Sequence, residues 1–238
     1  MRLLLLSTSR LHGGEFLDYC REDIIEHYEG IPEVLFIPYA QPGGISYDEY
    51  TDLMSRALEG HGLKVTGIHK LTDPSEELVN FGSVYVGGGN TFLLLKTLYE
   101  KGLIDALPPL VRDGSLRYMG SSAGTNVACP AINTTNDMPI VYPPSLSAFN
   151  LVPFSINPHY LDADPSSRHM GESRETRIRE FQTLSDRKVI GLREGSWLKF
   201  RDGELHLGGD YSARCFERDK EAWETDPGDD LSFLMNHL

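Results

Sequence analysis

The residues 120-GSSAG-124 have the types and the spacing that nucleophilic catalysis by serine requires. They match the pattern G-x-S-x-G with Ser122 in the middle, while Ser121 occupies the variable position. In that pattern a strand turns sharply into a helix, and the glycines allow close packing around an outward-pointing hydroxyl. The stretch 117-RYMG-120 fits such a strand, and 123-AGTNVAC-129 can begin a helix. A plain turn rich in serine and glycine explains the same letters, so the motif alone leaves both interpretations open.

Two backbone N–H groups are candidates to stabilise the oxyanion that forms when a serine attacks a carbonyl. The N–H of Ala123 would lie at the N-terminus of the helix, directed at that oxygen. A second glycine-rich stretch, 86-VGGGNT-91, also joins a strand to a helix and offers the N–H of Gly88. A phosphate cradle is the weaker interpretation, because the segment lacks both the Lys-Ser/Thr of a P-loop and G-x-G-x-x-G spacing. A tight turn without function also accounts for it.

A catalytic Ser122 needs a base within hydrogen-bond reach, and the base needs an acceptor that orients it. Among the eight histidines, His159 follows an apolar stretch and a proline, which indicates an ordered loop at a strand end. His12, just after the first predicted strand, is a second candidate. The orienting carboxylate is either Glu194, at the end of an apolar run, or Asp137, in a polar turn.

The segment 168-RHMGESRETRIRE-180 concentrates arginine in an acidic chain. Its arginines are Arg168, Arg174, Arg177 and Arg179. Glutamates interleaved at helical spacing are typical of a salt-bridged surface helix. A single arginine turned into the site would instead bind a substrate carboxylate through two parallel hydrogen bonds.

The net charge of the chain argues against some classes of binding partner. Lys and Arg number 22 against 35 Asp and Glu, a formal net charge of −13. An acidic chain lacks the basic face that nucleic acids and anionic membranes require, so we expect neither as a partner. No metal-ligand spacing is present, and we expect neither a metal nor a cofactor.

The cysteines and the N-terminus indicate the compartment. The three cysteines are odd in number and widely spaced, which favours a reduced, cytoplasmic protein. The initial apolar run, LLLL, is too short for a signal peptide or a membrane helix, so it predicts a buried strand.

Short apolar runs alternate with helical patterns over the first half of the chain. Strands are predicted at residues 2–7, 33–40, 64–69, 83–88 and 117–120, and helices at 15–28, 47–60 and 90–98. Ser46 and Glu49 form a capping box at the start of the second helix. This βαβ alternation predicts a doubly wound α/β fold with a mostly parallel sheet.

The last third of the chain has a different pattern. Strands are predicted at 188–193, 196–200 and 204–209, with Asp202–Gly203 as a tight turn between the last two. We expect all three to join the same sheet in antiparallel fashion, so that residues 1–238 form a single domain.

Several longer motifs resemble the peptidase E family of α-aspartyl dipeptidases. In chain order they are LLLLS, FIPYA, DEYTD, VTGIH, VGGGNTF, G-x-SAG-x-N, ACP, TTNDMPIV, INPHY, GE-x-RE-x-RI-x-E and VIGL-x-EG-x-W. They cover most of the chain. The resemblance implies a serine hydrolase with a glutamine-amidotransferase-like α/β fold, which cleaves dipeptides with an N-terminal aspartate, Asp-X.

The resemblance also implies roles for individual residues. Ser122 would be the nucleophile, His159 the base and Glu194 the third triad member. Gly88 and Ala123 would donate to the oxyanion, Arg174 would bind the aspartate side chain, and Asp137 is a candidate supporting acid. The expected partner is a small acidic dipeptide, and the oligomeric state is open between a monomer and a homodimer.

The chain departs from the family pattern in three places. Ser121 stands where a tryptophan is expected, Tyr142 where an aspartate is expected, and the stretch 160–170 is slightly longer. The order Ser, His, Glu differs from the Ser, acid, His order of α/β-hydrolases. The alternatives to an Asp-X dipeptidase are a β-aspartyl or cyanophycinase-like peptidase, an esterase or amidase, and a non-enzymatic α/β domain that binds small molecules.

Overall fold

Two β-sheets with packed helices make up the described residues, 1–164, 166 and 171–236 of the computed structural model. Arg168 lies outside the described residues. The strands are β1 (Leu3–Leu6), β2 (Glu33–Ile37), β3 (Lys64–Gly67), β4 (Ser83–Val86), β5 (Arg117–Ser121), β6 (Ser155–Pro158), β7 (Val189–Leu192), β8 (Ser196–Arg201), β9 (Glu204–Gly209), β10 (Ala213–Phe216) and β11 (Trp223–Thr225).

The larger sheet has seven strands in the order β3-β2-β4-β5-β1-β8-β9. Strands β1 to β5 run parallel, whereas β8 pairs antiparallel with β1 and with β9. The predicted turn at Asp202–Gly203 joins β8 to β9, and both residues have positive φ, as a tight hairpin of matching twist requires. The carboxyl ends of β1, β4 and β5 therefore meet at one edge of the sheet, where α/β proteins bind ligands.

The expectation that residues 188–193 extend this sheet is wrong. Strand β7 lies in a second, four-stranded sheet of order β11-β10-β7-β6, in which it runs parallel to β6 and antiparallel to β10. All four residues of β7 are buried, as is common for strands covered on both faces. Its parallel partner, β6, was predicted only as a strand end before His159, without bounds or a place in a sheet, so the sequence left β7 without its true neighbour.

The helices are α1 (Arg21–His27), α2 (Tyr47–Ala57), α3 (Pro74–Glu77), α4 (Thr91–Glu100), α5 (Leu103–Arg112), α6 (Ala123–Val127) and α7 (Arg174–Gln182). The capping box of α2 is confirmed, since Ser46 accepts from the Glu49 N–H and Glu49 accepts from the Ser46 N–H. Helix α1 is shorter than predicted because Leu17 has φ +59 and interrupts it. No helix among the described residues is long and apolar enough to cross a membrane.

The apolar residues of β1 alternate between two cores. Leu3 and Leu5 belong to a cluster that also contains Ile156 of β6 and Leu192 of β7. Successive side chains of a strand point to opposite faces, so Leu4 and Leu6 pack in the other cluster, against α1 and α2. The first cluster joins the two sheets, and it therefore fixes the ends of β1, β6 and β7 relative to one another.

His27, at the end of α1, should make the stability of the fold depend on pH. Its side chain is buried, and burial, followed by the charge of Arg117, lowers its pKa from 6.5 to about 3. The folded state keeps His27 neutral, whereas the unfolded chain takes up a proton below pH 6.5. The contribution of neutral His27 to the free energy of unfolding is complete above pH 6.5 and is lost progressively as the pH falls towards 3.

We expect the free energy of unfolding of the wild type to fall, relative to that of His27→Gln, by about 2 kcal/mol between about pH 7.5 and about pH 5. Urea unfolding of both proteins at both pH values measures this difference, and the variant subtracts the effect of every other titrating group. A difference that does not change with pH would show that His27 is not buried in its neutral form.

Candidate active site

Ser122 lies at a sharp turn between β5 and α6. It has φ +51 and ψ −109, a backbone conformation that residues other than glycine rarely adopt. Its N–H donates to the carbonyl of Leu6, at the end of the neighbouring strand β1, at 3.1 Å. Glycine is required around it: a Cβ on Gly124 would lie 2.0 Å from the carbonyl oxygen of Val86. The turn has the conformation of a nucleophile elbow.

Ser121 faces the opposite way. It is completely buried, and its hydroxyl shares a hydrogen bond of 2.7 Å with the hydroxyl of Tyr85. Ser122 is partly exposed, as an attacking group must be. The structure therefore leaves Ser122 as the accessible hydroxyl of the pair.

A chain of hydrogen bonds connects Ser122, His159 and Glu194. The Nε2 of His159 lies 2.9 Å from the Oγ of Ser122, and its Nδ1 lies 2.6 Å from the Oε1 of Glu194. A neutral imidazole that donates Nδ1–H to the carboxylate leaves Nε2 as an acceptor for the serine proton. His12, the alternative base, is exposed, and the imidazole bonded to Ser122 is that of His159.

Each member of this chain lies at the end of a different strand. Ser122 follows β5, His159 follows β6, and Glu194 lies two residues beyond β7. The site therefore spans both sheets. His159 has φ +54, so its own backbone is also in the left-handed region.

Asp137 lies elsewhere and does not orient His159. Its Oδ2 accepts from the N–H and the hydroxyl of Thr91, at 2.7 and 2.6 Å, and from the hydroxyl of Thr135 at 3.2 Å. Thr91 is the first residue of α4, where a carboxylate satisfies free N–H groups and interacts favourably with the helix dipole. Asp137 thus anchors its loop to the helix that follows the glycine loop.

The glycine loop passes close to the nucleophile, and the structure shows how its peptides are oriented. A Cβ on Gly88 would lie 3.2 Å from the Cβ of Ser122. The Gly88 N–H donates to the hydroxyl of Tyr50 at 3.1 Å, and the Gly88 carbonyl accepts from the Nε2 of Gln41 at 2.9 Å. Burial raises the pKa of Tyr50 to about 12, so this hydroxyl is a neutral acceptor. In this conformation the Gly88 N–H is therefore already occupied.

Two other N–H groups near Ser122 have no acceptor among the described residues. Ala123 begins α6, so its N–H has no acceptor within the helix. Gly89 has no hydrogen-bond partner for its N–H among the described residues. Because the peptide is trans, the Gly89 N–H points away from the carbonyl of Gly88, which faces Gln41. Neither Tyr50 nor Gln41 carried a sequence signal, since both lie far from the loop along the chain.

Arg174 begins α7 and lines two cavities beside the loop that carries His159. The larger has a volume of about 380 Å³ and is bordered by Leu161 and Asp162, and the smaller, of about 60 Å³, by Asn157. Arg174 is half-buried and forms no ion pair with any described residue. Partial burial, followed by the charge of Arg177, lowers its pKa, but a guanidinium stays charged.

The other arginines of α7 have partners. Arg177 pairs with Glu172 at 3.9 Å, and Arg179 donates to the carbonyl of Glu217 at 3.1 Å and lies over the ring of Phe216. Since Arg179 also pairs with Glu175 at 3.9 Å, the salt-bridged surface helix is the correct interpretation for these two. Arg174 differs from them because it lines the cavities and pairs with no carboxylate among the described residues.

Comparison with known proteins identifies the family of the chain. Residues 3–208 match the model of peptidase family S51. The chain belongs to peptidase family S51. Peptidase E of Streptomyces coelicolor is 48% identical over 99% of this chain and 96% of its own length. A probable alpha-aspartyl dipeptidase of Drosophila melanogaster is 45% identical over 98% of this chain and 97% of its own length.

Solved structures show the same fold for this S51 member. A putative peptidase E protein from Listeria monocytogenes superposes with a TM-score of 0.66 at 25% identity, over 88% of this chain and 98% of that one. A peptidase from an acI-B1 actinobacterium superposes with a TM-score of 0.69 at 18% identity, over 98% and 96%. The mixed α/β architecture with a mostly parallel large sheet is shared with these two solved structures.

Proposed function

We propose that this S51 peptidase is a serine-type dipeptidase that hydrolyses dipeptides with an N-terminal aspartate. The observation that carries the proposal is the hydrogen-bond chain from Ser122 through His159 to Glu194. The relatives named peptidase E and probable alpha-aspartyl dipeptidase, at 48% and 45% identity, support the substrate class.

In the first half of the reaction, the Oγ of Ser122 attacks the carbonyl carbon of the aspartyl residue. The Nε2 of His159 takes the hydroxyl proton, and the carboxylate of Glu194 stabilises the imidazolium that results. His159 then gives the proton to the nitrogen of the scissile bond. That bond breaks, the second amino acid leaves with a free amino group, and aspartate stays on Ser122 as an ester.

Water completes the reaction. His159 takes a proton from a water molecule, whose oxygen attacks the ester carbonyl. The C–O bond to Ser122 breaks, Ser122 recovers a proton from His159, and free aspartate leaves.

The oxyanion requires two donors in this scheme. The Ala123 N–H, at the start of α6, is one of them. The other comes from the glycine loop, in which the Gly89 N–H has no acceptor within the described ranges and the Gly88 N–H is bonded to Tyr50. We therefore propose Gly89 in place of Gly88 as the second donor, with Tyr50 and Gln41 holding the loop.

Arg174 is the proposed specificity group. Its half-buried guanidinium, which pairs with no carboxylate in the described part of the chain, favours the entry of an anionic side chain, and a planar fork binds a carboxylate in two places. An asparagine side chain has the same shape but no charge, so it would leave Arg174 poorly paired.

Replacing Arg174 with alanine should lower kcat/KM for Asp-Leu by about 100-fold, since breaking a partly buried charge pair costs roughly 2–3 kcal/mol. The rate for Asn-Leu should change much less, so the preference for Asp-Leu over Asn-Leu should nearly disappear. Steady-state kinetics on both dipeptides measure the two effects together.

Arg179→Ala is the matched control, because it removes a guanidinium from the same helix that is already bonded to the Glu217 carbonyl. It should keep the preference for Asp-Leu. If Arg174→Ala retains full discrimination between Asp-Leu and Asn-Leu, another residue recognises the aspartate.

A panel of dipeptides tests the proposed activity itself. The wild type should hydrolyse Asp-Leu well, and Asn-Leu, Glu-Leu and Leu-Asp poorly. Faster cleavage of β-Asp-Leu than of α-Asp-Leu would instead favour a β-aspartyl peptidase. Hydrolysis of simple esters without any requirement for aspartate would favour an esterase.

We also propose that the enzyme works in the cytoplasm. All three cysteines carry free thiols and are buried, which is common for proteins of a reducing compartment.

A further inference from the structure

The end of strand β1 contacts the segments that carry all three members of the proposed triad. The carbonyl of Leu6 accepts from the N–H of Ser122, as described above. The next residue, Ser7, reaches the other two segments through its side chain. Strand β1 belongs to the larger sheet, whereas His159 and Glu194 extend from strands of the smaller one.

The Ser7 hydroxyl makes two hydrogen bonds across this boundary between the sheets. It donates to the carbonyl of Leu192 at 2.7 Å and accepts from the backbone N–H of His159 at 2.9 Å. Its single proton is used in the first bond, so only a lone pair is left for the second. Ser7 is completely buried, and its own N–H donates to the carbonyl of Ser196. The direction of the hydroxyl is therefore determined by the surrounding backbone.

The backbone of His159 needs a hydrogen-bond partner from another segment of the chain to hold its conformation. Its φ of +54 is uncommon for a residue other than glycine, and such a conformation persists only where neighbouring groups determine it. Among the described residues, Ser7 provides the acceptor for the His159 N–H. The next N–H, of Tyr160, donates to the same Leu192 carbonyl at 3.1 Å. The two N–H groups of the turn that presents the imidazole are thus bonded to one serine and one carbonyl, and the Pro158 carbonyl accepts from the Nδ2 of Asn136 at 2.7 Å.

We propose that Ser7 is a positioning residue of the catalytic site, which holds the imidazole of His159 in register with Ser122 and Glu194. The inference rests on the proposed serine mechanism. Ser7 does not touch the reacting atoms. It acts by fixing the His159 backbone to the carbonyl of Leu192, two residues before Glu194, and to the strand whose Leu6 carbonyl fixes Ser122.

Replacing Ser7 with alanine removes both hydrogen bonds. We expect kcat for Asp-Leu to fall by about 10- to 100-fold, because a displacement of about 1 Å in a catalytic group can cost about 100-fold. KM should change less than about twofold, since the residues that bind the substrate are untouched. Ser7→Cys keeps nearly the same volume with a weak donor and acceptor, and should show the same loss if the alanine variant does not fold.

Ser83→Ala is the matched control. Ser83 is also completely buried, and its hydroxyl also bonds to a backbone carbonyl, that of Glu33, but it lies at the start of β4, at the opposite end of the strands. It should keep the wild-type kcat. Titration of Ser122 with a fluorophosphonate separates positioning from misfolding: in the Ser7 variants the final stoichiometry should stay complete while the rate of labelling falls with kcat.

Two results would overturn the inference. One is a folded Ser7→Ala or Ser7→Cys protein whose kcat lies within about twofold of the wild type. The other is an equal loss in Ser83→Ala, or a loss that appears as incomplete labelling and not as slower labelling. A failure of the serine mechanism looks different, because then the wild type would not be labelled at Ser122 at all.

Discussion

Ser122→Ala is expected to lower kcat for Asp-Leu by about 10⁵- to 10⁶-fold, the loss typical when a serine peptidase loses its nucleophile. The substitution removes the protein atom that forms the covalent bond with the carbonyl carbon of the substrate in the proposed mechanism. It should leave KM and stability little changed, because Ser122 lies at a partly exposed turn and its hydroxyl bonds to His159. Kinetics at high enzyme concentration, with protein free of wild-type contamination, measure the residual rate.

Ser121→Ala is the matched control for this experiment. It removes a hydroxyl from the adjacent residue, where the hydroxyl bonds to Tyr85 inside the core. We expect stability to fall by about 1 kcal/mol and kcat to stay within about threefold of the wild type. If Ser121→Ala loses activity and Ser122→Ala keeps it, the assignment of the nucleophile is reversed.

The second large effect is expected for Glu194→Gln. The carboxylate keeps the proton on Nδ1 of His159 and stabilises the imidazolium, and a neutral amide of the same shape does neither reliably. Loss of such a carboxylate lowers kcat by about 10⁴-fold in buried triads. The Glu194 side chain is 50% exposed, so water screens its charge, and we expect a loss of roughly 10³-fold. Measurements of kcat for Asp-Leu at saturating substrate give this value directly.

Asp137→Asn separates the two carboxylates that the sequence left as candidates. Asp137 bonds to Thr91 and Thr135 and not to the imidazole, so its loss should loosen the start of α4. We expect kcat to fall less than about tenfold, with a decrease in thermal stability. A larger loss in Asp137→Asn than in Glu194→Gln would identify Asp137 as the orienting acid.

Local patterns predicted the first half of the fold well. Strands β1, β2 and β4 are short apolar runs without polar alternation, which is typical of a parallel sheet covered on both faces. The capping box at Ser46 and the hairpin turn at Asp202–Gly203 are each determined by a few adjacent residues. Such features depend on neighbours along the chain, which is the information that a sequence provides directly.

The second sheet could not be predicted in this way. Strand β6 is four residues long and ends in Pro158, so its pattern indicated a strand end before His159 but neither the bounds nor the partners of the strand. Helix α5 was not predicted either, because it contains Pro108 and Pro109, and proline is uncommon inside a helix. Without β6 there is no parallel partner for β7, and pairing β7 with the large sheet was the simplest, but wrong, alternative.

The candidate site also has one part that the sequence predicted and one part that it did not. The side chains that react belong to residue types with well-known chemistry, so Ser122, His159 and Glu194 were predicted by motif and resemblance. The groups that hold them in place carry no such signal. Ser7, Tyr50 and Gln41 contact the site only because strands and loops distant in sequence converge there.

The most direct test is to treat the protein with a fluorophosphonate, identify the modified residue, and measure Asp-Leu hydrolysis as the adduct forms. We predict one adduct per chain, on Ser122, with activity falling in proportion to its formation, and no adduct in Ser122→Ala. Modification of another residue, or full Asp-Leu hydrolysis by protein modified at Ser122, would contradict the claim that this serine is the nucleophile.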